Sequence, residues 1–117
     1  MRVQLQEQAL RLRIDEAELA TLLAGGTVEN AIRWPDGRNE RQQLALAAQH
    51  GWRRSEDGCW RMELADAAVR EFAARLPGRD GLSFALATPD GGALKVLFDV
   101  DVRDSVRQRR ADKKGRA

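Results

Sequence analysis

Three aspartates close to the C-terminal end have the spacing that most resembles a reactive site. Asp99 and Asp101 lie two positions apart, and Asp104 follows them. On a strand, residues two apart point to the same face, so these carboxylates could hold a magnesium ion or act as acid and base. Their alternation with Val100 and Val102 favours the solvent side of a strand instead. A metal-dependent enzyme using Asp99 and Asp101 therefore ranks third among the hypotheses.

A second group of candidate metal ligands lies in the middle of the chain. His50, Asp57 and Cys59 offer an imidazole, a carboxylate and a thiolate, all of which bind zinc. The chain has one histidine and one cysteine, whereas a stable zinc site usually needs four ligands. A lone thiol at the start of an alternating strand is more often a small buried residue than a nucleophile. We expect no catalytic residue, no metal and no cofactor.

An aromatic residue between basic ones is the best candidate for partner contact. Trp52 precedes Arg53 and Arg54 in the polar segment 50–58. Aromatic and guanidinium side chains together anchor protein interfaces and stack on nucleic-acid bases. We predict that Trp52, Arg53 and Arg54 contact a partner, with local packing of the indole as the alternative.

The positive charge is concentrated at the C-terminal end. Residues 1–100 carry a net charge of −2, whereas residues 101–117 carry seven lysines and arginines against three aspartates, which gives +4. The segment 103–117 lacks apolar periodicity and is predicted to be a flexible basic tail. Such a tail could bind nucleic acid through counterion release. The residues predicted to contact nucleic acid are Arg107, Arg109, Arg110, Lys113 and Lys114.

Hydrophobic periodicity divides the rest of the chain into short strands and two helices. Alternation predicts strands before Asp15, which is a good helix N-cap, and Gly25-Gly26 ends the helix that follows. A second helix is predicted over 65–76, where Pro77-Gly78 stops it. The predicted buried stripes are Leu19, Leu22 and Leu23 in the first helix, and Leu64, Val69, Phe72, Ala73 and Leu76 in the second.

The two halves of the chain have similar patterns. Residues 11–14 align with 61–64, and the Pro-Asp-Gly turn at 35–37 aligns with the one at 89–91. We interpret this as a strand-helix-strand-strand unit used twice, over about 9–49 and 59–102. Coincidence is the alternative, because short strands and Pro-Asp-Gly turns occur widely.

These elements predict an α+β fold in a single domain, residues 1–102. The two units would form one antiparallel sheet or partly closed barrel, with both helices packed against it.

Both ends of this domain resemble a known family. The opening strands through Leu10-Arg11-Leu12-Arg13-Ile14, followed by the acidic helix start 15–18, are similar to a family of short uncharacterised bacterial proteins, a domain of unknown function. The family ends on a strand resembling 94–98, followed by an acidic-basic-acidic-aromatic run. This chain has Asp99, Val100, Asp101 and Val102 there, without the basic and aromatic members. The resemblance implies the fold and no activity.

Composition sets limits on the class of protein. No apolar run approaches the roughly 20 residues needed to cross a bilayer, and residues 1–14 lack the apolar stretch of a secretory signal. We expect a cytoplasmic protein with no membrane association.

The favoured function is a non-catalytic binding or interaction module, with an unknown protein or a second copy as partner. Nucleic-acid binding by the basic tail is the alternative.

Overall fold

The computed structural model describes residues 1–78 and 80–102. These residues form eight strands and two helices. In chain order the elements are β1 (Arg2–Gln6), β2 (Ala9–Asp15), α1 (Glu16–Leu23), β3 (Val28–Arg33), β4 (Asn39–Ala47), β5 (Gly51–Arg54), β6 (Cys59–Ala65), α2 (Asp66–Ala74), β7 (Leu82–Ala87) and β8 (Ala93–Asp101). The described part of the chain does not include the residues predicted to contact nucleic acid, which are Arg107, Arg109, Arg110, Lys113 and Lys114.

The strands form two separate four-stranded sheets. Sheet A has the order β1-β2-β8-β7, and sheet B has the order β3-β4-β6-β5. In each sheet the outer pairs are antiparallel hairpins, whereas the central pair, β2 with β8 or β4 with β6, is parallel. The fold is therefore α+β, but the single antiparallel sheet or barrel expected from the sequence is wrong. Alternating residues specify which face of a strand is buried, not which strand lies beside it.

Each half of the described chain has the same order of elements. Strand-strand-helix-strand-strand occurs from β1 to β4 and again from β5 to β8, one strand more per unit than the sequence pattern indicated. Each sheet takes one hairpin from each half, so sheet A holds the first and last hairpins of the chain. The parallel central pairs follow from this exchange, because β2 and β6 each lead into a helix that crosses to the other sheet.

One hydrophobic core unites the sheets and helices. The inner face of each sheet is the face that contributes to this core, and the outer face is the opposite one. Phe98 of β8 is fully buried and meets Phe72 of α2 edge to face, with 5.7 Å between ring centroids. The predicted helix residues Leu19, Leu22 and Val69 are buried as well. The helices therefore cover the inner faces and leave the outer faces open.

The two helices begin differently. Asp15 caps α1 in a capping box, in which the Glu18 amide donates to the Asp15 carboxylate at 2.7 Å and the Asp15 amide donates to the Glu18 carboxylate at 3.1 Å. At the start of α2, Ala65 has no side chain to accept a hydrogen bond. Its amide donates instead to Nδ1 of His50 at 3.0 Å.

Among the described residues no helix is long and apolar enough to span a bilayer.

Candidate functional site on the outer face of sheet A

An open groove of about 650 Å³ lies across the outer face of sheet A and is lined entirely by described residues. Its volume lies within the range of roughly 300–1,000 Å³ typical of ligand pockets. We call it the sheet A groove. Its lining residues are Gln4, Gln6, Ala9, Leu10, Arg11, Ser83, Phe84, Ala85, Lys95, Val96 and Leu97.

The register of sheet A explains the shape of this groove. Ala9 and Ala85 lie on either side of Lys95, and Ser83 lies beside Leu97 on the same face. Small side chains therefore flank Lys95 on both sides, whereas Leu97 lies between Ser83 of β7 and Arg11 of β2. The exposed polar residues Gln4 and Gln6 of edge strand β1 line the far side.

The groove is positively charged. Its ionisable lining residues are Arg11 and Lys95, and no carboxylate lines it. The Arg11 guanidinium donates to Asp99 from Nη2 at 2.6 Å and from Nε at 3.2 Å. Lys95 is exposed and has no ion-pair partner within residues 1–78 and 80–102. A negatively charged ligand would therefore meet one uncompensated cation in this groove.

Asp99, the strongest acidic candidate in the sequence, belongs to an ion-pair cluster beside the groove. Its carboxylate contacts Arg11 at 2.6 Å and Arg13 at 3.9 Å. Asp101 lies opposite Asp15 in the parallel pairing of β8 with β2. The two guanidinium groups compete with a metal ion for the Asp99 oxygens, and the described residues contain no group of three or more potential metal ligands.

His50, Asp57 and Cys59 have separate environments. His50 stacks on Phe84 with 3.9 Å between ring centroids and 2° between ring planes, and burial lowers the pKa of its imidazole. The hydrogen bond from Ser55 and the nearby Arg41 guanidinium lower the pKa of the exposed Asp57 carboxyl. Cys59 is a free, buried thiol, as the sequence pattern predicted.

The predicted partner residues on β5 divide between the two faces of sheet B. Trp52 lies on the inner face, 41% exposed, and the Arg54 guanidinium stands 5.3 Å from its ring centroid. Arg53 lies on the outer face, where its Nε is 3.5 Å from the Glu63 carboxylate. A single flat partner cannot cover all three side chains in the same way. Partner contact by Trp52, Arg53 and Arg54 stays a prediction.

No protein-family model matches the sequence, and no curated protein matches it either. The resemblance to a domain of unknown function therefore remains a prediction.

The groove residues were not predicted from the sequence, because sheet A joins strands from opposite ends of the chain. Arg11 and Asp99 are 88 residues apart and meet only through the parallel pairing of β2 with β8. The alternation did contain one usable signal. Lys95, Leu97 and Asp99 are spaced two apart, so they share the face opposite the core residues Val96, Phe98 and Val100 of β8.

Proposed function

We propose that this protein is a non-catalytic interaction module that binds an extended acidic segment of a protein partner in the sheet A groove. The observation that supports this most directly is the uncompensated Lys95, which lies in the groove between two alanines. A carboxylate of the partner would pair with Lys95, and small apolar side chains would lie over Ala9 and Ala85.

Amide groups on the β1 side of the groove suit a peptide ligand. Gln4 and Gln6 can each donate to and accept from a main chain, because a carboxamide has both functions. Interfaces combine such polar contacts with apolar area, and charge complementarity improves specificity and the rate of association. The binding role requires no reactive side chain.

Selection from a random peptide library tests this proposal. Wild-type protein is expected to enrich peptides rich in aspartate and glutamate. Lys95→Glu, which reverses the charge, and Ala85→Trp, which fills the groove, are expected to weaken binding of those peptides at least about tenfold. Selected peptides without acidic bias would overturn the proposal.

A matched control comes from sheet B. Ala31 of β3 lies opposite Arg41 on an outer face, as Ala85 of β7 lies opposite Lys95. Both alanines are exposed, so Ala31→Trp adds the same bulk on the other sheet. This variant is expected to keep wild-type affinity. Equal losses in Ala31→Trp and Ala85→Trp would contradict binding in the sheet A groove.

Nucleic-acid binding by the basic tail is a separate prediction from the sequence. Removing residues 103–117 is expected to abolish retention on an immobilised polyanion if that prediction holds. Retention that survives the deletion would assign any such binding to residues 1–102.

A further inference from the structure

Two arginines face each other on the outer face of sheet B. Arg53 of β5 lies directly opposite Arg61 of β6, and Arg61 lies beside Gln43 of β4. Like charges directly opposite each other destabilise a pair of strands. Glu63 is 3.5 Å from Arg53 and compensates part of this charge. The Arg61 guanidinium has no carboxylate partner in the described residues.

The Arg61 guanidinium makes few hydrogen bonds to the described residues. Its Nε is buried and has no partner in the part of the chain that the structure describes. Its Nη1 donates to the side-chain oxygen Oε1 of Gln43 at 3.5 Å, which is long for a hydrogen bond. A buried charged donor without an acceptor is costly. Because Nη1 is only weakly bonded, it can donate to a stronger acceptor from outside the chain.

The equivalent arginine in sheet A, Arg11, has a carboxylate partner that Arg61 lacks. Arg11 lies opposite Leu97 of β8 as Arg61 lies opposite Gln43 of β4. Two residues beyond Leu97 is Asp99, whose carboxylate pairs with Arg11 at 2.6 Å. Two residues beyond Gln43 is Ala45. Sheet B therefore has the arginine of this pair without its carboxylate.

A small pocket lies next to these side chains. It has a volume of about 200 Å³ and is lined by Gln43, Arg53, Arg54, Ser55, Cys59 and Arg61. No carboxylate lines it. The Arg54 guanidinium lies over Trp52, and the Ser55 hydroxyl already bonds Asp57, so Arg53 and Arg61 are the main charged donors.

We propose that this pocket binds a phosphate group, either as inorganic phosphate or on a small phosphate monoester, between Arg53 and Arg61. The planar guanidinium fork matches phosphate oxygens, and charge-assisted hydrogen bonds are the stronger ones. A bound phosphate accepts hydrogen bonds from the two guanidinium groups and offsets the repulsion between the two arginines. The site lies on a different sheet from the groove, so neither proposal depends on the other.

Calorimetric titration with inorganic phosphate at constant ionic strength tests the site, with glucose 6-phosphate as the monoester arm. Saturable binding of one phosphate per chain is expected, weakened at least about tenfold by Arg61→Gln or Arg53→Gln. If glucose 6-phosphate binds more tightly than inorganic phosphate, the site is a monoester site. If it binds equally or more weakly, the ligand is the free ion. The matched control Arg11→Gln removes the equivalent arginine from sheet A and is expected to bind phosphate as the wild type does.

A second measurement separates binding from folding. The Nε–H resonance of Arg61, assigned by its loss in Arg61→Gln, is expected to shift as phosphate is added to the wild type. Absence of saturable binding, or equal losses of affinity in Arg11→Gln and Arg61→Gln, would overturn the proposal. A phosphate response that leaves the Arg61 Nε–H resonance unmoved would overturn it as well.

Discussion

At the scale of single residues, His50 acts as a structural hydrogen-bond acceptor. Its Nδ1 accepts the amide proton of Ala65 at 3.0 Å, and its ring stacks on Phe84 of sheet A. The bond requires Nδ1 to be unprotonated. In α1 the equivalent backbone amide, that of Asp15, donates to Glu18. His50 thus replaces the glutamate of a capping box and links the segment before β5 to the other sheet.

His50 makes stability depend on pH. Because burial lowers the pKa of the folded imidazole below the unfolded value of about 6.5, the unfolded chain binds the proton more readily. The contribution of the neutral ring is complete above about pH 6.5 and is lost as the pH falls toward the folded pKa. We expect the free energy of unfolding to decrease from pH 7.0 to 5.5, as measured by urea denaturation.

The variant His50→Gln checks that assignment. His50 is the one histidine of the chain, and most carboxylates titrate below this range. The variant is expected to lose most of the pH dependence between 7.0 and 5.5. An unchanged slope in the variant would show that another group is responsible.

At the scale of elements, the helices were predictable and the strand pairing was not. The Asp15 cap, the Gly25-Gly26 stop and the stripes with a period near 3.6 are local signals, and both predicted helices are present. The parallel pairs β2 with β8 and β4 with β6 depend on contacts remote in sequence. The sheet A groove and the pocket beside Arg53 and Arg61 lie across those pairs. Their residues could therefore be assigned to a strand face from the sequence but not assembled into sites.

The capping box makes a testable contribution to α1. Asp15→Ala removes the acceptor for the Glu18 amide and is expected to cost about 1 kcal/mol of unfolding free energy. Denaturant titration measures this loss.

The matched control for that change lies at the start of α2. The Asp66 side chain is 48% exposed and accepts a hydrogen bond from Arg70 four residues later, with 3.0 Å between Oδ1 and Nε. Asp66→Ala is expected to cost less, about 0.5 kcal/mol, because exposed pairs of this type are weak. A larger loss for Asp66→Ala than for Asp15→Ala would contradict the role given to the capping box.

At the scale of the whole molecule, the exchange of hairpins between halves should make unfolding cooperative. Neither half contains a complete sheet, since each central pair joins one strand from each half. All three tryptophans belong to the sheet B side of the chain, Trp34 just after β3, Trp52 in β5 and Trp60 in β6. Tryptophan fluorescence therefore reports on sheet B and can be compared with a perturbation of sheet A.

The variant Phe98→Leu provides that perturbation. Phe98 is fully buried in β8, and its truncation is expected to cost on the order of 1–2 kcal/mol. The fluorescence and circular-dichroism transitions are expected to shift together. Leu5→Ala, at a 78% exposed position on β1, is expected to change stability by less than about 0.5 kcal/mol. A fluorescence transition unaffected by Phe98→Leu would show that the sheets unfold independently.

The most direct test of the proposed function is to locate peptide binding by NMR. The backbone amides of isotope-labelled protein would be followed during titration with a synthetic peptide of alternating leucine and glutamate. Binding in the sheet A groove predicts the largest shifts at Gln4, Gln6, Ser83 and Lys95, and much smaller ones in Lys95→Glu. Shifts confined to sheet B, or equal in wild type and Lys95→Glu, would contradict it.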